Sequence, residues 1–285
     1  MSELTGKRAL VTGASSGIGA AIALELATHG AELVLTARRR DALDTVAAAC
    51  RIKGARVEIV MADLGVPGAA TALWTAARAT GPIDILINNA GFGYFRPFRT
   101  VDWPRDAELI QLNMTSLVEL SRRFIDDHGD DHGDDHGDDR GDAPGRAYLV
   151  NIASIGAYQA VPNMALYASS KAFVRNFTEA LHDELRGGPI SATCICPGGT
   201  KTNFHAAAGA GNYGWIANTS MMTAEEVAAI TVDAMRKAKR TVVPGVLNKV
   251  AACSIRLVTR RIAAWMASRV LGKPRSAALP ERRTG

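Results

Sequence analysis

At 285 residues, with 47% hydrophobic and 21% charged positions, the chain has the makeup of a globular protein with a substantial core, which excludes general disorder. No run of about 18 apolar residues occurs and MSELTGKRAL lacks the apolar stretch of a signal peptide, so neither a membrane span nor export is expected. The net charge of +5 conceals two opposed blocks: residues 126–142 hold nine Asp against one Arg, and residues 236–285 hold thirteen Lys and Arg against Glu281 alone.

Short apolar runs alternate with helical patterns along the chain. RALVTG precedes a helical pattern over residues 18–29, AELVLTA one over 41–52, RVEIVMA one over 67–79, and IDILINNAG one over 102–125. AYLVNIAS, a helical pattern over 164–186 and ISATCIC continue the series. Such alternation predicts an α/β protein with a parallel sheet covered by helices on both faces.

DDHGDDHGDDHGDDRGD interrupts the series without ending it. Connections in such units usually take about 2 to 6 residues, so residues 126–146 read as an insertion. His128, His132 and His136 are spaced four apart and would stack as metal ligands on a helix. Gly129, Gly133, Gly137 and Gly141 would each cost that helix about 1 kcal/mol, and neighbouring Asp residues repel. A flexible, solvated acidic loop is therefore favoured and no metal site is assigned, with loose divalent binding or docking onto the basic C-terminal block as the alternatives.

Over residues 246–271 a long helical pattern places Val250, Leu257, Val258, Ile262, Trp265 and Met266 broadly on one side, with Lys249, Arg256 and Arg260 on another. Burial against the domain or a second subunit is the favoured reading, with contact to an anionic membrane as the alternative. The chain thus divides into a domain over residues 1–245 and a basic amphipathic extension over 246–285. No nucleic-acid partner is expected. Cys50, Cys194, Cys196 and Cys253 form no CxxC pair, which fits a reduced, cytoplasmic setting. Two residues apart on a strand, Cys194 and Cys196 would share one face as small core residues.

The chemistry-bearing motifs start with TGASSGIG at residues 12–19, between the first strand and the first helix. Glycines at 13, 17 and 19 let the backbone turn tightly and approach a pyrophosphate, whose charge meets backbone amides and the positive end of the helix dipole. Tyr167 and Lys171 in YASSK lie four apart and project from one helix face, where the ammonium favours the phenolate. Ser154, closing the fifth strand, can donate a hydrogen bond to a substrate oxygen as negative charge builds on it.

The G-x-x-x-G-x-G spacing, NNAG at 88–91, Asn113 in QLNMTS, Ser154 in NIASIG, YASSK and PGGTKT at 197–202 occur in the order of the short-chain dehydrogenase/reductase family, which the chain resembles over residues 7–243. The resemblance implies a single domain with a Rossmann-type doubly wound parallel sheet, to which this chain adds the acidic loop insertion and the C-terminal helical extension. It implies catalysis by Asn113, Ser154, Tyr167 and Lys171, with Asn113 ordering a water relay through a local distortion of its helix and Lys171 holding the nicotinamide ribose. It assigns the cofactor to Gly13, Ser15, Ser16, Gly17, Ile18 and Gly19, to Arg38, Asp63 and Leu64, to Asn89, Ala90 and Gly91, to Tyr167 and Lys171, and to Pro197, Gly198, Thr200 and Thr202.

Ala37 stands where NAD enzymes of that family often carry Asp, and the next residue, Arg38, can take a 2′-phosphate bidentately. NADP(H) is the expected cofactor, although Ser16 replaces a further base that many NADP enzymes carry in the glycine turn. The expected activity interconverts a carbonyl and an alcohol. The segment NFHAAAGAGNYGWIANTSMM, with Phe204, Tyr213, Trp215, Met221 and Met222, reads as a substrate lid, and Phe92, Tyr94 and Phe95 read as a second apolar wall. An apolar or lipid-like small molecule is the expected substrate and a homodimer or homotetramer the expected assembly. Rival readings are other chemistry of the same fold, such as epimerisation, or a non-catalytic cofactor-binding scaffold with a metal-binding or interaction loop.

Overall fold

The computed structural model describes residues 4–129, 146–200 and 221–271. Six apolar runs become strands β1 (Arg8–Thr12), β2 (Glu32–Thr36), β3 (Val57–Ile59), β4 (Ile85–Asn88), β5 (Ala147–Ile152) and β6 (Ile190–Ile195). A short β7 (Thr241–Val242) adds the seventh, and the sheet runs β3-β2-β1-β4-β5-β6-β7 with every pair parallel. Both faces are covered, which is why the central strands read as continuous apolar runs instead of alternating ones.

Helices α1 (Gly17–Thr28) and α2 (Arg40–Ile52) cover one face together with α7 (Ala224–Arg236). On the other face lie α3 (Ala69–Arg78) and α5 (Ser116–His128), where Trp74 meets Phe124 edge to face at 6.2 Å. The long α6 (Ala165–Glu184) packs against β5 and β6. Winding reverses between β1 and β4, so the chain leaves their carboxyl ends in opposite directions and opens a crevice there.

Three helical expectations change. The pattern over 102–125 is two helices, α4 (Trp103–Ile110) and α5, joined by a π-helical turn at Gln111–Thr115. Helix α5 continues into the acidic repeat, where Asp127 pairs with Arg78 at 2.6 Å and His128 Nδ1 lies 2.8 Å from the Phe124 carbonyl. His132 and His136 lie outside the described residues. The pattern over 246–271 is also two helices, α8 (Val246–Ser254) and α9 (Arg260–Leu271), separated by a tight turn at Ile255–Leu257 and extended backbone at Val258.

The apolar stripe is not buried against the domain, so of the favoured reading only burial against a second subunit is left open. Asn248, Ala252, Ala263 and Ala267 are the buried positions, whereas Val250, Leu257, Ile262, Trp265 and Met266 are exposed. Small side chains let these helices approach closely: Ala267 packs with Val161, Ala168 and Met164 beside Tyr167. Helix α7 was not anticipated, although its capping box was written in the sequence: Thr223 accepts from the Glu226 amide and Glu226 accepts from the Thr223 amide.

Candidate active site

The glycine turn sits at the crevice and is locked from behind by NNAG. Thr12 Oγ1 accepts from the amides of Asn89 and Ala90, and Asn89 Nδ2 donates to the carbonyl of Thr12 at 2.9 Å. A Cβ on Gly13 would lie 2.9 Å from the Ala90 Cα, and one on Gly19 would lie 2.4 Å from both Asn89 Nδ2 and the Gly13 oxygen. Gly13 and Gly17 also adopt positive φ, +66° and +58°, which favours glycine. Ser16 caps α1 in extended conformation without closing it by a side-chain hydrogen bond. The turn therefore fits a dinucleotide phosphate. In this arrangement Asn89 acts by holding the turn with its side chain.

The candidate catalytic residues Asn113, Tyr167 and Lys171 gather around Gly91–Gly93. Asn113, buried in the π-helical turn, accepts from the Phe92 amide and donates to the Phe92 carbonyl and to Ser170 Oγ on α6. Its Oδ1 would lie 3.1 Å from a Cβ on Gly91, and Lys171 Nζ 3.5 Å from the same point, so the missing side chain leaves both groups room. Tyr167 lays its ring over Gly93, where a Cβ would fall 2.4 Å from Cδ2. Lys171 Nζ lies 5.9 Å from that ring's centroid and donates to the Ile152 carbonyl at 2.8 Å. Burial lowers the Lys171 pKa to about 8. Ser154 caps the turn that follows β5, its Oγ accepting from the Gly156 amide. The sequence brought these four residues forward, and the structure brings Asn113, Tyr167 and Lys171 together.

Beneath them runs a polar ladder that sequence reasoning missed. Asn88 Nδ2 donates to Asn151 Oδ1 and to Ser121 Oγ, and Asn151 Nδ2 donates to Thr178 Oγ1, tying β4, β5, α5 and α6 together. Only the fold makes these residues neighbours. Cys194 and Cys196, as expected, are buried on one face of β6, with their sulfurs 3.8 Å apart.

Among the residues that the resemblance assigns to the adenosine, Arg38 Nη1 lies 3.4 Å from Glu108 Oε1, and Glu108 also pairs with Arg105. Asp63 accepts from the Gly65 amide at 3.0 Å, and Leu64 is buried, with its carbonyl accepting from Ser116. At the other end, the Pro197 carbonyl accepts from the Ile155 amide, and Thr200 Oγ1 donates to the Gly198 carbonyl. Gly198 abuts Asn248 of α8, whose Nδ2 donates to the Pro244 carbonyl; a Cβ on Gly198 would fall 2.4 Å from Asn248 Oδ1. Thus α8 supports the segment that the motif assigned to the cofactor, a role nothing in the Asn248 neighbourhood of the sequence signalled.

Thr202 and most of the lid, including Phe204, Tyr213 and Trp215, lie outside the described residues. The second wall is corrected: Tyr94 is buried with its hydroxyl donating to Asp106, and Phe95 is buried as well. Both are core anchors, whereas Phe92 is half-buried beneath the Arg105 guanidinium at 4.1 Å. Phe98 and Trp103, farther along the same connection, are the exposed aromatics.

Fold and turn together define an α/β protein with a dinucleotide-binding crevice. The sequence model for short chain dehydrogenase matches residues 7–213, and this chain belongs to that family. A short-chain type dehydrogenase/reductase of Picea abies is 33% identical over 210 residues, covering 70% of this chain and 73% of the relative. A short-chain dehydrogenase from Sphingobium yanoikuyae in complex with NADPH has a TM-score of 0.73 and 28% identity, covering 95% and 98% of the two chains. One from Burkholderia cenocepacia J2315 in complex with NADP has a TM-score of 0.68 and 28% identity, covering 85% and 98%.

Proposed function

We propose that this protein is an NADP(H)-dependent oxidoreductase interconverting a carbonyl and an alcohol on an apolar small molecule in the cytoplasm. The observation that carries this reading is the meeting of Asn113, Tyr167 and Lys171 around Gly91–Gly93, beside the glycine turn. Gly13, Gly17 and Gly19 would receive the pyrophosphate, Arg38 the 2′-phosphate, and Lys171 the nicotinamide ribose. When bound, the cofactor supplies or accepts the hydride. Tyr167 protonates the carbonyl oxygen in the reducing direction and takes the proton back in the other. Ser154 donates a hydrogen bond to the same oxygen, and the Lys171 ammonium stabilises negative charge on the Tyr167 oxygen. Asn113 fixes the Gly91–Phe92 backbone against α6, holding the phenol and ammonium in register.

NADP(H) is supported by Arg38, by the absence of an acid at Ala37, and by the cofactors of the two related structures. Half-buried Phe92, whose backbone Asn113 holds, supports an apolar substrate. A groove of about 720 Å³ beside α5 and α6, lined by apolar Met114, Val118 and Phe173 and by charges of both signs, Glu119 and Asp126 with Arg122 and Arg123, supports pairing of two copies through those helices.

Fluorescence titration with NADPH and NADH tests the reading. NADPH is expected to bind at least about tenfold more tightly, the gain from charge-assisted hydrogen bonds to Arg38, and Arg38→Ala to remove that preference. A carbonyl panel followed by NADPH oxidation then identifies substrates. Tyr167→Phe is expected to lower turnover by about 10² to 10⁴ while leaving NADPH affinity unchanged. Failure to bind either nucleotide overturns the reading.

A further inference from the structure

We propose that helices α8 and α9 form a docking surface for an anionic lipid bilayer beside the catalytic residues. These helices turn mainly small side chains toward the domain. Asn248 and Ala252 of α8 and Ala263 and Ala267 of α9 are buried. The large apolar residues point elsewhere: Val246 is 78% exposed, Val250 61%, Leu257 87% and Trp265 59%, with Ile262 and Met266 exposed alongside. Soluble surfaces rarely gather large apolar side chains in this way without a partner.

The charge around them selects the partner. Residues 236–271 contain nine Lys and Arg and no Asp or Glu. Lys249, Arg260, Arg261 and Arg269 are exposed among the apolar residues, and the Arg269 guanidinium lies 5.3 Å over the Trp265 ring. A twofold contact between copies would set this basic patch, which has no carboxylate in residues 236–271 to answer it, against itself. An anionic bilayer suits both the charge and the apolar side chains. Its headgroups attract the cations, each strengthening binding about fivefold, while the interface admits tryptophan and aliphatic side chains. Among the described residues no helix is long and apolar enough to cross a membrane, so attachment is peripheral.

Placement gives the surface a consequence. Helix α8 packs on the turn that follows Ser154 and touches Gly198, and α9 packs through Ala267 on the cluster of Val161 and Ala168, the residue after Tyr167. A bilayer on the outer side of these helices would lie next to the active site, where a lipid-dissolved carbonyl compound can reach it.

The test is co-sedimentation of the full chain with phosphatidylcholine vesicles with and without phosphatidylglycerol. Binding is expected to the anionic vesicles, at least about tenfold weaker to phosphatidylcholine alone, and to fall as salt rises. Val250→Glu/Trp265→Glu is expected to reduce binding at least about tenfold with Tm and NADPH affinity unchanged. Should that variant fold poorly, Arg260→Ser/Arg261→Ser supplies the same reading through charge. Absence of binding to anionic vesicles, equal binding to both compositions, or wild-type binding by the variant that folds overturns the proposal. So does an oligomer that Val250→Glu/Trp265→Glu dissociates when vesicle binding is absent, which would assign the face to a second copy. Vesicle binding is read without turnover, so its failure is distinguishable from failure of the oxidoreductase reading.

Discussion

Lys171 shows how far the site is built against stability. Its ammonium is buried, donates to the Ile152 carbonyl and has its pKa lowered from 10.5 to about 8 by that burial. The native state therefore binds fewer protons than the unfolded chain between about pH 8 and 10.5, and stability rises with pH across that window. Below it, carrying the charge costs about 3 kcal/mol. Lys171→Met removes this cost and leaves the Ile152 carbonyl without its donor, a loss of about 1 to 2 kcal/mol. The variant is expected to be about 1 to 2 kcal/mol more stable in urea at pH 7, with the difference shrinking by pH 10, and inactive at both. In the wild type, turnover that depends on the ammonium is expected to fall above about pH 8, which a pH–rate profile reads directly.

Two turns hold the residues that one helix or strand alone would not place. In the glycine turn, Gly19→Ala would drive a Cβ to 2.4 Å from the Gly13 oxygen and Asn89 Nδ2, so the β1–α1 connection must shift off NNAG. A loss of about 1 to 3 kcal/mol is expected on thermal or urea unfolding, together with weakened NADPH binding. This element was legible in the sequence because its glycine spacing is a local steric requirement, as was the four-residue spacing of Tyr167 and Lys171 on α6. The π-helical turn at Asn113 was legible only through the family resemblance: QLNMTS carries no intrinsic signal for it. The Asn88–Asn151–Thr178 ladder was not legible at all, since its partners lie 27 to 63 residues apart and meet only across packed elements. For α8 and α9 the period gave helices, but a period cannot say which face the domain will take. Here it took the alanines, because Val161 and Ala168 leave room for close approach.

At the scale of the whole molecule, that close approach makes the C-terminal segment part of the active-site scaffold. Asn248 fills the space that Gly198 leaves open, Ala252 joins the core cluster containing Cys194, Cys196 and Val174, and Ala267 completes a smaller one against Val161 and Ala168. Removing residues 246–285 would uncover Gly198 and the turn after Ser154 on the side where they are now packed. Residues Pro197–Thr200 and the turn that Ser154 caps would then lose their shared support, while the glycine turn on the far side of the crevice would keep all of its own. A chain ending at Gly245 is therefore expected to retain measurable NADPH affinity through the glycine turn and Arg38, yet to lose at least about tenfold in kcat/KM and several degrees in Tm. Steady-state kinetics and calorimetry on the shortened chain check this. If kcat/KM and Tm instead match the full chain, α8 and α9 are an appendage resting on the domain, and the packing of Asn248 on Gly198 carries no energy that the site uses.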